Sequence, residues 1–461
     1  MVLFLASSVV DLLVELVRFK TVNDPVRGVK PGRECVDFIQ SVLGDWGISS
    51  RIVEVDGYYS VYGLLGEGEP RILLQAHYDV VPVDPSEWSS DPFDPVIQEG
   101  RVYGRGAADD KSNVAAIMAA LRELAGFVDS EGGSIVFAFT GDEEVGGRRG
   151  AGFIAELLDR EGLTPHYVVN GDGFGLKPIV RRRSALRAEV KVRRKTISIR
   201  GSLGEYIFRA STPVVGTRHA AYFMPGVDTH PVIAASHFIR SLGDAYAVEL
   251  GGSFIKSNVV PGEAVLKYVV GSSSASSSVE ADYGLTVLLK SIVPLVRAPL
   301  PVDGYSDYGV SITPNVYSLE GEWHTLVLDI RAMVMREDTI RRLEGVLRGV
   351  LDENISGSVE YRLSVYGRPS YLYTPVSSEI VGAFRRVYSA LGLSFGVLEG
   401  AGVSDSRYYS TRGIEVVDLG PIGGNVHGPN EWVDIESLRL LSRVYVGVVE
   451  ELVRTWRSSS R

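Results

Sequence analysis

Cysteine is almost absent, Cys35 being the single thiol in 461 residues. One thiol excludes an internal disulfide framework and a thiolate metal site, and it fits a reducing compartment. Long apolar runs are missing as well: nothing approaches the roughly 20 consecutive residues that a membrane-spanning helix requires. The first segment, MVLFLASSVVDLLVELVRF, is apolar but has no basic flank, and Asp11 and Glu15 interrupt it at helical spacing. It therefore predicts an amphipathic surface helix rather than a leader. Positive charge is in deficit, with 47 Lys and Arg against 57 Asp and Glu and a formal net charge of -10. Such a balance excludes a general phosphate-backbone binder, which needs a positive surface to release counterions. There is no phosphate loop, no G-x-S-x-G elbow and no internal repeat, and GDGFG at 171–175 lacks the G-x-G-x-x-G spacing of a dinucleotide turn. The expectation is a soluble, cytoplasmic protein with no nucleic-acid or membrane partner.

A hydrophobic share of 45% with 23% charged residues is that of a folded globular chain, and the length exceeds one ordinary core. Up to residue 180, short β-rich runs alternate with helical patterns: RILLQAHYDVV, SNVAAIMAALRELAGF, SIVFAFTGDEE, RGAGFIAELLDREG and HYVVNGDGFG. Nearly continuous apolar strands separated by helices predict an α/β layer whose sheet is mixed, mostly parallel and buried between helices. At Arg181 the pattern changes. RRRSALRAEVKVRRKTISIRG alternates basic and apolar residues, the period of a sheet with one wet face; its basic residues read as that solvated face rather than as an anion patch. Residues 181–368 predict an inserted antiparallel α+β unit with a serine-rich loop near 271–282, and from 369 to 461 the α/β pattern resumes. The N-terminal part of the α/β domain is then 1–180, and 369–461 completes it.

Seven histidines allow each to be weighed. His77, in LLQAHYDVV, is followed two positions on by Asp79, and in extended chain these share a side, so the carboxylate can hold the ring as it does in many metal-bound imidazoles. Three further strand ends carry acids: Asp109 and Asp110 in GRGAADDKSN, Asp142, Glu143 and Glu144 in TGDEEVGG, and Asp172 in VVNGDG. Taken singly these are helix caps or turns. Together they form a set of converging carboxylates that repel one another unless they share a cation. His427, in PIGGNVHGPNEWV, supplies a second histidine after an apolar strand. Oxygen ligands with two imidazoles suit zinc, cobalt or manganese, and several carboxylates suggest two ions.

Four segments, LLQAHYDVVPV, WSSDPFDPVIQEGRVYGRGAADDK, TGDEEVGG and GVSDSRYYSTRGIEVVDLGPIGGNVHGPNEWV, stand in the order and spread of a known family. In them the chain resembles the di-zinc aminoacylases, acetylornithine deacetylase, succinyl-diaminopimelate desuccinylase and related di- and carboxypeptidases. The resemblance implies that Asp109 bridges two divalent ions, zinc first with cobalt or manganese as alternatives. His77 and Asp172 then complete one ion, and Glu144 and His427 the other. It further implies that Glu143 is the general base and that Asp79 orients His77. Arg407 holds a substrate carboxylate, which its bidentate fork suits, and His219 and Asn258 contact substrate from the insertion. The insertion is a lid through which family members often dimerise, so a homodimer is expected. The implied reaction is hydrolysis, by a dinuclear metal-activated water, of the amide of an N-acyl amino acid; a dipeptidase or carboxypeptidase acting on a short peptide is the alternative. A fold-sharing binding protein without catalysis is the non-enzymatic reading, which the intact ligand and base residues oppose. Dinuclear aminopeptidases with a similar ligand set place the first histidine and the bridging aspartate much closer in sequence than His77 and Asp109 and lack the insertion.

The chain departs from the family in two places. Ser112 follows Lys111 where glycine is usual. The lid motif at Asn258–Pro261 is separated from LDIR at 328–331 by an intervening stretch that predicts an enlarged lid. His166, His230, His237 and His324 match no motif and are expected to be structural or on the surface.

Overall fold

Apolar runs in the first third of the chain become strands because their β-branched and aromatic side chains can fill both faces of a sheet. In the computed structural model, which describes residues 8–214, 218–304, 309–355, 357 and 359–459, Gly133–Thr140 is buried at every position. Arg71–His77 is buried at all but its first. These two strands pair in parallel, and Tyr167–Asn170 and Glu415–Asp418 continue the parallel set. Tyr58–Glu67 and then Arg51–Val55 flank one side antiparallel, and Ile179–Arg182 the other, so the sheet is mixed with a parallel centre. Helices cover both faces. Lys111–Glu131, Ile435–Ser459, Glu379–Ala390 and Val9–Arg18 bring Leu13, Leu16, Ile117, Leu121, Phe384, Leu441 and Val449 into one core. Ala151–Arg160 packs Ile154 and Leu158 with Leu73, Val136 and Val168 on the opposite face.

The parallel strands end at His77, Thr140, Asn170 and Asp418. Every acidic or histidine motif described above, apart from GRGAADDKSN, therefore leaves the carboxyl end of a parallel strand, where open α/β sheets carry their ligands. Gly173 and Gly420 meet just beyond two of these ends. A Cβ on Gly420 would lie 2.1 Å from the Gly173 carbonyl oxygen, so only glycine admits this approach of the two chains. The first helix begins at Ser8, whose hydroxyl and backbone form a reciprocal capping box with Asp11; residues 1–7 of the predicted N-terminal helix lie outside the described residues. Among the described residues no helix is long and apolar enough to cross a membrane.

The chain divides into two compact units, one made of residues 1–181, 372–400 and 404–461, the other of 182–371 with 401–403. The second unit has two four-stranded antiparallel sheets. Helices Pro231–Ser241, Tyr283–Val296 and Glu337–Asn354 share its apolar core. In Ser184–Arg193 alternate residues are buried, and Arg187, Lys191 and Arg193 face outward onto Glu189, Glu322 and Glu360. From Arg187 on the basic run is thus a solvated strand face, whereas Arg182 and Arg183 at its start are buried. The serine-rich stretch is shorter as a loop than its composition suggests. Ser278–Asp282 is a strand paired with Thr196–Arg200; Ala281 is buried and Val279 half-buried while Ser278 and Glu280 are exposed, and Asp282 caps the next helix. Alternation outweighs serine content there, leaving 272–277 as the link.

His230 caps the helix Pro231–Ser241 while almost fully buried. Its Nδ1 accepts from the Val232 N–H at 3.2 Å and its Nε2 lies 3.0 Å from Asn315 Oδ1, which uses both nitrogens of the neutral ring. Burial pushes this imidazole down from 6.5 to about 4. A base whose folded value is depressed binds fewer protons folded than unfolded between those two values, so stability is complete above the unfolded value and is lost as pH falls through the window. Guanidinium unfolding followed from pH 7 to pH 4 is expected to lose roughly 2–4 kcal/mol through this residue. His230→Asn, which keeps a cap, is expected to flatten that part of the profile.

Candidate metal centre and active site

Asp79 is the fixed point of the site. It is completely buried, and its carboxylate accepts from Asn23 Nδ2 at 2.9 Å, the Glu143 N–H at 3.1 Å and the Glu144 N–H at 3.2 Å. His77 Nδ1 stands 3.3 Å from Asp79 Oδ1 and 3.1 Å from the Asp79 carbonyl oxygen. With a ring proton on Nδ1, where two acceptors face it, Nε2 is turned to Asp109 Oδ1, 3.1 Å away; it bonds that carboxylate when the ring is protonated and is the atom free to hold a cation when it is not. One carboxylate therefore sets the tautomer of His77 and fixes the start of the turn that carries Glu143 and Glu144.

Asp109 faces an imidazole with each oxygen. Oδ1 meets His77, and Oδ2 lies 3.0 Å from His427 Nε2, which is also 3.0 Å from Glu144 Oε1. Asp109, Glu144 and His427 each offer one ligand atom within 4.8 Å of the others. Burial raises the Asp109 carboxyl, but hydrogen bonds from His427 and His77 outweigh it and hold the group well below the usual carboxylate range. Burial lowers His77, yet its bonds to Asp109 and Asp79 raise it well above the ordinary imidazole range. Both shifts reflect one demand for positive charge between the rings and the carboxylates. A donor set of imidazole nitrogens and carboxylate oxygens without sulfur fits a divalent cation such as zinc, cobalt or manganese.

The backbone at Asp109 is held from 322 positions away. Glu431 accepts from the N–H groups of Gly106, Ala108 and Asp109 and from Arg105 Nη1 at 2.5 Å, all of them buried or half-buried. Asp110 turns to the other side: Oδ2 accepts from the His77 N–H at 3.3 Å and Oδ1 from Asn113 Nδ2 at 2.5 Å. Burial pushes the Asp110 carboxyl up to about 7. Glu431 and Asp110 were both missed as site residues by sequence reasoning. Asp110 reads as a cap and Glu431 as part of a loop, and the signal that could have flagged Glu431 was an acid in GPNEWV within reach of no basic residue nearby in sequence.

The three acids of TGDEEVGG separate. Asp142 folds back onto the N–H groups of Arg149 at 2.7 Å and Gly150 at 2.8 Å, outside the cation-facing group. Glu144 faces His427. Glu143 is raised well above the usual carboxyl range by burial first and then by the neighbouring charges of Asp172 and Asp405. Asp172 sits in the left-handed region, φ 68°, with its backbone N–H on Asp110. It therefore lies beside this group, while the direct contacts of Asp109 run to the two histidines. Arg407 Nη2 donates to the Gly146 carbonyl at 2.6 Å and stands 3.5 Å from Asp405. Within the second unit His219 and Asn258 meet. His219 Nδ1 accepts from the Ala221 N–H at 3.1 Å, and Nε2 is 3.2 Å from the Asn258 amide. Rotating that amide would give the buried Asn258 Oδ1 a donor, the His219 Nε2–H. Of the remaining histidines, His324 joins Tyr317 to Asp282, His166 accepts from the Arg71 N–H, and His237 is exposed.

Removal of Glu431 leaves the buried Arg105 Nη1 and three N–H groups without this acceptor, the guanidinium keeping the Gly428 carbonyl, at 3.2 Å from Nη2. Glu431→Ala is expected to cost about 3–5 kcal/mol in chemical denaturation. Because Asp109 then loses its backbone anchor, divalent-ion affinity measured by chelator competition is expected to fall about 10- to 100-fold. Unchanged ion affinity would show that this anchor does not shape the site.

Known proteins match this chain at full length. The model of peptidase family M20/M25/M40 matches residues 73–451. Succinyl-diaminopimelate desuccinylase of Methylococcus capsulatus is 26% identical over 450 residues, covering 97% of this chain and 99% of the relative. The same enzyme of Nitrosococcus oceani is 27% identical over 414 residues, covering 89% and 90%. Among solved structures, aminoacylhistidine dipeptidase from Vibrio alginolyticus shares the fold with a TM-score of 0.66 at 16% identity, covering 96% of each chain. The M20 family metallo-carboxypeptidase Sso-CP2 from Sulfolobus solfataricus does so with a TM-score of 0.57 at 16% identity, covering 97% and 99%.

Proposed function

We propose a reaction from one premise: the chain belongs to peptidase family M20/M25/M40 and is a hydrolase of amide or peptide bonds. The reaction is hydrolysis of the amide bond of an N-acyl amino acid, of the deacetylase or desuccinylase type. The curated relatives named as desuccinylases, alike over nearly their whole length, support this acyl class. The observation that carries the chemistry is Asp109, one oxygen of which faces His77 and the other His427, with Glu144 sharing the second histidine. A carboxylate flanked in this way can bridge two cations.

In this reading His77, Asp109 and Asp172 would hold one divalent ion and Asp109, Glu144 and His427 the other, with zinc ahead of cobalt and manganese. When bound, the ions supply Lewis acidity toward a water and toward the scissile carbonyl. Glu143 takes the proton of the attacking water and returns it to the amine nitrogen as the C–N bond breaks. Asp79 keeps the His77 ring oriented and Glu143 at the start of its turn. Arg407 pairs with the carboxylate of the amino-acid half, and His219 and Asn258 contact the substrate from the second unit. Residues 181–368 act as the lid, and two copies pair through it.

Ion content by elemental analysis is expected near two equivalents per chain. Glu143→Ala should retain that content while turnover falls at least about 100-fold; wild-type turnover in this variant excludes Glu143 as the base. N-succinyl and N-acetyl amino acids, assayed beside dipeptides with zinc, cobalt or manganese, divide the substrate classes. Cleavage of dipeptides alone would move the chain to the peptidase class, and ion binding without turnover of any substrate would make it a binding protein. Light scattering at twice the chain mass is the outcome expected for lid pairing.

A further inference from the structure

TGDEEVGG is tied down at its first end by Asp79, but its second end carries two consecutive glycines, Gly146 at φ 105° and Gly147 at φ 59°. Glycine keeps the greatest backbone freedom of any residue, so this end depends on its contacts; the Gly146 and Gly147 N–H groups bond the Glu143 and Asp142 carbonyls within the turn at 2.8 and 2.7 Å. Gly147 cannot be otherwise: a Cβ there would sit 1.8 Å from Asp405 Oδ1. The Gly146 carbonyl is held from outside the turn by SDSRYY, whose Arg407 and Tyr408 both donate to it, each at 2.6 Å.

The two donors are not equivalent. Arg407 is contested by Asp405, a buried carboxylate that has no hydrogen-bond donor among the described residues and stands 3.5 Å from the guanidinium. In the function proposed above it is contested by the substrate carboxylate as well. Among the described residues the Tyr408 O–H has one acceptor, the Gly146 carbonyl; the phenol oxygen also bonds the Arg407 guanidinium, against which its ring lies, 4.9 Å from centroid to carbon. A Cβ on Gly152 would fall 2.9 Å from the Tyr408 ring, so the helix after the turn closes over the phenol. We propose that Tyr408 is a positioning residue: its phenol keeps the turn bearing Glu143 and Glu144 in place when Arg407 turns to the substrate carboxylate. The catalytic part of this inference rests on the assignment of Glu143 and Arg407, whereas the clamp itself does not.

Tyr408→Phe removes one O–H and keeps the ring. Hydrogen exchange of a peptide covering residues 141–150, measured on the protein without substrate or added metal, is expected to quicken roughly two- to tenfold. Exchange elsewhere and the melting temperature should stay unchanged. Zinc affinity, through Glu144, should weaken by a similar factor. With an N-acyl amino acid that the wild type turns over, kcat is expected to fall roughly two- to tenfold at unchanged KM. Tyr408→Leu, which loses ring and hydroxyl together, should go further in the same direction. Unaltered exchange at 141–150 in both variants overturns the clamp. Accelerated exchange with unchanged kcat and unchanged zinc affinity overturns the positioning role. Accelerated exchange and weakened zinc binding in a protein whose wild type hydrolyses no N-acyl amino acid or dipeptide keeps the clamp and defeats the proposed function alone.

Discussion

Mutual repulsion of carboxylates governs this site. Asp79, Asp109, Asp110, Asp142, Glu143, Glu144 and Asp172 crowd the ends of neighbouring strands, where burial makes each negative charge costly. The fold removes them from the conflict one by one. Asp79 is quenched by an amide and two backbone N–H groups, Asp142 by two backbone N–H groups, and Asp110 by an asparagine and the N–H of His77. Glu431, an eighth acid, is matched to Arg105 and three N–H groups. Of the acids that remain, Asp109 and Glu144 are the two that meet imidazoles, while Glu143 stays raised by burial and by the charge of Asp172.

The quenching groups also do the positioning. A backbone N–H can stabilise a carboxylate only by being held at hydrogen-bond distance, so each neutralised acid fixes a stretch of main chain. Asp79 fixes the start of the Glu143 turn, Asp142 closes that turn onto the helix Ala151–Arg160, and Glu431 fixes Gly106–Asp109. Precision at the site is thus a by-product of electrostatics. The parallel sheet supplies only the coarse placement, by ending its central strands side by side.

Legibility followed distance along the chain. The pairing of His77 with Asp79 needs two residues and the geometry of extended chain, and the separation of Glu143 from Glu144 needs only that neighbours diverge. The α/β alternation was readable because strands such as GSIVFAFT are apolar throughout. Glu431 was not readable, because its partners lie 322 to 326 positions away and nothing local marks an acid as buried. Asp110 was hidden behind the capping role open to any aspartate before a helix. Asp405, a buried carboxylate without a donor among the described residues, reads in sequence only as a neighbour of Arg407. In the second unit the alternation of Val279 and Ala281 was masked by serine, whose small side chain fits a loop and the outer face of a strand equally well.

The two sides of Asp109 differ in a way that residue types alone do not reveal. His77 is 3% exposed and locked by Asp79, whereas His427 is 49% exposed and rides on a turn whose backbone is left-handed at Asn425, His427 and Asn430. Asp109 itself is 16% exposed, so it stands at the boundary between a dry and a wet half of the site. In the proposed two-ion reading, a cation on the His77 side would trade its water for fixed donors in a low-dielectric setting, where electrostatic attraction is strong, and a cation on the His427 side would keep access to solvent. Glu143 leaves the same turn as Glu144, which meets the exposed His427, so in the proposed reading proton transfer would take place on the exposed side of Asp109.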